Sequence, residues 1–253
     1  MKIIRANCRI QFTPLDISFL IQTLESRPKQ REALESLFGD EDSRNLLLDS
    51  DTVFEAVIEN PENLSISLHL FFYILVRRVL KETGIEDESV ADYVAELLAE
   101  FTRTNRSGAR SDDSTNESPA LDSWLGAMQN TDRRECFELK AFAANRLLFL
   151  TGIQEDWLRR RTARRGAPSL EFYETVGPGF YREAGNHELS ESYELRNIFE
   201  QLSERFHDAR LALNELATRL IHLDTPQFPI LEGGPTSQTS GLSPEELPPS
   251  LLN

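Results

Sequence analysis

Five arginines, Arg159, Arg160, Arg161, Arg164 and Arg165, fall within seven residues just after Trp157. A guanidinium presents a planar fork of donors that fits carboxylates and phosphates, and an indole face accepts a stacked cation or base. The cluster therefore points to an acidic protein partner or a phosphate-bearing ligand. Glu155 and Asp156 lower its local charge to +3, which argues against a nucleic-acid groove. The same arginines would also neutralise the end of a helix closed by Gly166, or pair with the chain's own acidic surface.

Glu204 and His207 stand three apart, half of the motif used by carboxylate-bridged two-metal bundles. Ile66, Ala184 and Arg219 stand three before the other histidines, His69, His187 and His222, so the second half is missing. No metal and no cofactor are expected. Glu183, His187, Glu188 and Glu191 form another polar group, which helix capping explains. Phe172, Tyr173, Phe180 and Tyr181 surround Gly177-Pro178-Gly179 and either line a ligand pocket or fill the core at a helix break. The chain carries no phosphate loop, nucleophile elbow, dinucleotide fingerprint or H-E-x-x-H zinc motif. With no catalytic signature, an interaction protein is the leading expectation. A helical-bundle enzyme or ligand-binding protein, and a phospho-ligand or nucleic-acid regulator, are the alternatives.

The elements that must position these residues are bounded by composition. The 253 residues are 40% hydrophobic with 15 Phe, enough apolar area to offset chain entropy and exclude wholesale disorder. A net charge of −15 argues against general nucleic-acid binding and against anionic membrane surfaces. Cys8 and Cys136 are too few for a disulfide framework and read as reduced thiols. No secretory signal is visible, and the most apolar run, Leu64 to Val76, is too short to span a bilayer. A cytoplasmic protein without membrane insertion is expected.

Ile4, Ala6, Cys8, Ile10 and Phe12 alternate with polar residues, the period of a half-buried strand or extended arm. A lone strand edge invites a partner, either a second copy or another protein. Thr13-Pro14-Leu15-Asp16 reads as a helix start. Helices are then expected near 29–38 (closed by Gly39), 43–48, 52–59 and 64–82, the last apolar nearly all round and so central. Thr83-Gly84-Ile85 and Thr151-Gly152-Ile153 share a layout, from a duplicated hairpin or from shared capping chemistry. Residues 102–118 lack large apolar residues and read as a flexible linker, followed by helices at 120–128 and 132–150. Residues 168–184 read as helical pieces broken at Gly177-Pro178-Gly179.

A heptad seam, Leu195, Phe199, Leu202, Phe206, Ala209, Leu213, Leu216, Leu220 and Leu223, predicts one long helix over 187–223. It would be roughly 50 Å long at 1.5 Å per residue. Extra apolar residues widen its stripe and favour packing in a core over an exposed coiled coil. From residue 225 onward the chain is rich in Pro and Gly and reads as an extended tail. Its apolar patches, Phe228, Ile230 and Leu231, then Leu247, Leu251 and Leu252, suit a short linear motif.

The sequence thus predicts an all-α, bundle-like assembly with one N-terminal strand or arm and a disordered Pro-rich tail. Residues 1–224 form a single helical domain of two lobes, 1–101 and 119–224, and 225–253 the tail. The expected partner is another protein or a second copy as a homodimer, bound through the tail, the arginines or the long helix.

Overall fold

The computed structural model describes residues 3–26, 30–59, 66–106, 131–165 and 168–222. Among them are twelve α-helices and no strand. The first four are α1 (Pro14–Leu24), α2 (Arg31–Gly39), α3 (Glu41–Leu48) and α4 (Asp51–Glu59). The start of α1 follows its sequence signature. Thr13 Oγ1 accepts from Asp16 N at 3.2 Å, and Asp16 Oδ2 accepts from Thr13 N at 2.6 Å, closing a capping box with Pro14 inside it. Asp16 is fully buried, and its other oxygen accepts from Ser67 N at 2.6 Å, tying α1 to the start of the helix at Leu68–Glu82. Gly39 ends α2 without a left-handed turn; Asp40 behind it is extended and caps α3 through Ser43 N.

Helix α5 (Leu68–Glu82) buries residues on every side, from Leu70 through Leu80, and is the centre that its composition predicts. It packs against α6 (Glu88–Arg106) across the corner 83–87. Gly84 turns that corner with φ +82°, while Ile85 N donates to Leu80 O at 2.8 Å and the Ile85 side chain is buried. Helix α6 extends through 102–106, where a linker was expected. Thr102 is buried and its hydroxyl donates to Leu98 O, and Phe101 packs edge-on against Phe149, so packing offsets the polar composition. The remainder of the expected linker, 107–118, and the helix at 120–128 lie outside the described residues.

The rest is α7 (Arg133–Gly152), α8 (Glu155–Arg165), α9 (Leu170–Gly185), α10 (Glu188–Ser192), α11 (Arg196–Glu204) and α12 (Phe206–His222). Helix α12 packs on both α5 and α7, and α9 packs on α7 and α11. The second Thr-Gly does a different job from the first. Gly152 stays helical, and a Cβ there would lie 2.6 Å from Leu213 Cβ, so it sets how closely α7 and α12 approach.

Two expected features change form. Gly177-Pro178-Gly179 does not break α9, which runs through Pro178 as one helix. Gly177 is pressed against the Phe206 ring, and Pro178 O accepts from Ser203 Oγ at 2.9 Å, so tertiary contacts hold the turn together. The long seam helix is three helices instead of one. Glu194 at φ +58° separates α10 from α11, and Arg205 separates α11 from α12 while donating to Thr83 O at 2.9 Å. Its residues from Leu195 to Leu220 are nonetheless all buried in the chain's own core. The seam is therefore not free for self-association.

The N-terminal strand is not formed. The alternation ends in a 3-10 turn at Arg9–Gln11, which leaves Ile10 81% exposed where a strand would bury it. The segment is an arm along α5 and α6. Cys8 is fully buried with its thiol on His69 O at 3.3 Å, and Arg9 N donates to Asp92 Oδ1 at 2.8 Å. The Arg9 guanidinium reaches Asn45 at 2.8 Å and Glu88 at 3.3 Å, across the Tyr73 ring. Among the described residues no helix is long and apolar enough to cross a membrane.

Candidate functional site

The arginine cluster is helix α8, seated by the fully buried Leu158. Arg159 pairs with Glu155 at 2.6 Å one turn back, and that bond pushes the guanidinium further toward its charged form. Arg161 lies 5.1 Å over the half-buried Trp157 ring. Glu155 also meets Arg210 of α12 at 2.7 Å, Arg210 meets Glu174 of α9 at 2.5 Å, and Glu174 meets His207 at 3.0 Å. This chain of charges fastens α8, α9 and α12 together, and Arg210 at its middle is only 7% exposed. Sequence patterning missed Arg210, since one arginine among the charged residues Asp208, Glu215 and Arg219 of the same helix gives no signal.

The cluster is thus divided by geometry. Arg159 and Arg161 face the chain's own Glu155 and Trp157. Arg160 and Arg164 are exposed one turn apart and make no ion pair among the described residues. The side chain of Arg165, and Gly166, lie outside those residues.

The remaining candidates separate. Glu204 is exposed, His207 turns to Glu174, and no group of three metal-ligating side chains is assembled among the described residues. His187 caps α10, its Nδ1 accepting from Leu189 N at 3.2 Å, as helix capping anticipates. Tyr173, Phe180 and Tyr181 are buried core residues and only Phe172 reaches solvent. Tyr181 and Tyr93 both donate to Asn145 Oδ1, at 2.8 and 2.9 Å, a buried polar knot joining α6, α7 and α9.

A polar cleft of about 430 Å³ lies between the N-terminal arm, α6, α7 and the corner after α10. Arg5, Arg103 and Arg134 line it together with Glu96, Glu100, Glu138 and Tyr193. Arg103 meets Glu96 at 3.1 Å and Glu100 at 3.4 Å, and Arg134 meets Glu138 at 3.1 Å. Arg5 lies 4.9 Å over the Tyr193 ring, which stacks parallel to Phe137 at 5.8 Å. Beneath the arm, burial pushes the Cys8 thiol far up from its ordinary range and also raises the Asp92 carboxyl, against the opposing pull of Arg9. None of these lining residues stood out in the sequence.

The tail residues Phe228, Ile230, Leu231, Leu247, Leu251 and Leu252 lie outside the described residues. Compared with known proteins, the chain significantly matches no family model, no curated protein and no solved structure.

Proposed function

We propose that the chain is a non-enzymatic interaction protein that receives an acidic protein partner on the exposed face of α8. The carrying observation is the pair Arg160 and Arg164, two cations without an ion pair among the described residues on a helix otherwise fastened down by its own charges. Fixing α8 through Leu158, Thr162 and the Glu155–Arg210 pair removes part of the ordering cost that a mobile arginine would bring to binding. In a chain of net −15, a patch of this sign attracts acidic partners and leaves the other faces repelling them. The core that runs from Cys8 to Leu220 supports one helical domain; in this reading 225–253, outside the described residues, adds a linear motif.

The test is in-cell crosslinking and quantitative mass spectrometry of wild type against the double variant Arg160→Glu, Arg164→Glu. Loss of specific partners, together with wild-type capture that weakens as salt rises, is the expected result. Equal capture by the charge-reversed variant refutes the assignment to α8. Deleting 225–253 is expected to leave the melting temperature nearly unchanged while weakening capture; a large drop in melting temperature would make the tail structural.

A further inference from the structure

We infer that the cleft beside the N-terminal arm is a binding site for a small zwitterion carrying an ammonium and a carboxylate, of the class of free amino acids and short peptides. Its volume of about 430 Å³ lies within the range of small-molecule sites. Among the described residues its charged lining is three arginines against three glutamates, so neither a lone anion nor a lone cation is matched by that lining.

The acidic end is Glu96. This residue lines the cleft yet is only 6% exposed, and its Oε2 takes no hydrogen bond. Oε1 accepts from Arg103 Nη2 at 3.1 Å. His69 Nε2 stands 3.3 Å from Oε2 but also 3.2 Å from Arg103 Nη2. With that nitrogen accepting the arginine's N–H, it carries no proton for Glu96. A buried carboxylate oxygen without a donor is costly, and the terminal torsion of glutamate is soft. Rotation of the carboxylate toward an incoming ammonium supplies the missing donor.

The basic end is Arg5. Its guanidinium is held over Tyr193 and makes no ion pair among the described residues. Tyr193 is fixed in turn by Phe137 and by the left-handed Glu194 next to it. The planar fork of Arg5 matches a carboxylate, whereas Arg103 and Arg134 are already committed to Glu96, Glu100 and Glu138. A simple anion would leave Oε2 unsatisfied and meet three glutamates. An amine without a carboxylate would leave Arg5 unused.

The site uses none of the α8 arginines, so it stands or falls separately from the partner surface. Saturation-transfer NMR on the full chain, with leucine and glycyl-leucine as probes, tests it against N-acetylleucine and leucinamide. Both zwitterions are expected to receive saturation, with each capped compound binding roughly tenfold or more weakly. Arg5→Ala is expected to weaken leucine and leave leucinamide unchanged, and Glu96→Gln to weaken leucine and leave N-acetylleucine unchanged. Melting curves accompany both variants; if Glu96→Gln unfolds, Arg5→Ala on the exposed arm decides. No transfer to either zwitterion, equal binding of the capped compounds, or insensitivity to the variants overturns the assignment. Arg160→Glu, Arg164→Glu should leave the zwitterion signal intact.

Discussion

Two glycines, one residue apart on either side of Pro178, should respond to alanine with opposite signs. A Cβ on Gly177 would stand 2.5, 2.7 and 3.1 Å from three ring carbons of Phe206, which is 2% exposed. Ordinary carbon contacts fall near 3.5–4.0 Å, so the overlap reaches about 1 Å. A Cβ on Gly179 would meet nothing within 4 Å. In a helix interior, Gly→Ala gains about 1 kcal/mol from reduced backbone entropy. Gly179→Ala should therefore stabilise by about that amount. At Gly177 the same gain is opposed by about 1–3 kcal/mol of overpacking and by the strain of a Cβ before proline in a helix. The net expectation is a loss of about 1–2 kcal/mol. Urea titrations with unchanged m-values would measure both, and Phe206→Leu separates the two causes. If the ring is responsible, the cost of Gly177→Ala shrinks in that background, with coupling of about 1 kcal/mol. An unchanged cost would assign it to the proline, and Gly177→Ala stabilising like Gly179→Ala would refute the packing argument outright.

Asn145→Leu removes the acceptor of two buried tyrosine hydroxyls and should cost about 2–6 kcal/mol by urea denaturation, whereas Tyr93→Phe, which removes one donor, should cost about 1 kcal/mol. Glu194→Gly relieves a left-handed non-glycine residue and should gain about 0.5–1 kcal/mol, read as a rise in melting temperature. Burial pushes the Asp49 pKa up, but hydrogen bonds from Arg77 at 2.9 Å and Lys81 at 2.9 Å outweigh it and hold the carboxyl below its ordinary value. Its stabilisation is thus present above an unfolded pKa of about 3.9 and is lost as pH falls through the folded value. The stability gap between wild type and Asp49→Asn should narrow toward acid; a gap independent of pH would refute the assignment. Ellman's reagent at mildly alkaline pH should label the partly exposed Cys136 in the native chain and Cys8 only after denaturant is added, and native labelling of Cys8 would show that the arm opens.

Local chemistry was legible where one segment decides the outcome. Thr13 and Asp16 cap α1, the apolar α5 is central, and Gly84 closes its helix left-handed, because each depends on residues a few positions apart. Burial of the heptad seam was legible for the same reason. Its continuity was not, since the break at Glu194 puts a charged residue where propensity favours glycine or asparagine. Nor was the intact α9 visible, because Pro178 and its glycines are tolerated only through Phe206 and Ser203, contributed by distant sequence. The period at residues 4–12 left strand and extended arm both open, because an arm packed on helices can bury Cys8 without a neighbouring strand and alternation alone does not distinguish the two; the fold takes the arm.

The same division explains why the arginine cluster was conspicuous and the cleft was not. Five arginines within seven residues are dense in sequence, yet the fold uses Arg159 and Arg161 against Glu155 and Trp157. Density therefore overstated the number of free cations, and only the register of α8 shows that Arg160 and Arg164 face outward. Glu96 and Arg103, two turns apart, and Arg134 and Glu138, one turn apart, look like ordinary helix-surface charges, a pattern that most solvated helices share. What sets them apart is a tertiary event. The N-terminal arm, held down by Cys8 and Arg9, lays Arg5 across Tyr193 and roofs the α6 carboxylates, so that Glu96 is buried with one oxygen unsatisfied. A site whose defining groups are separated by nearly two hundred positions, with an unmet hydrogen bond as its clearest feature, has no motif to find. Its chemistry becomes readable only when each buried polar atom is asked for its partner.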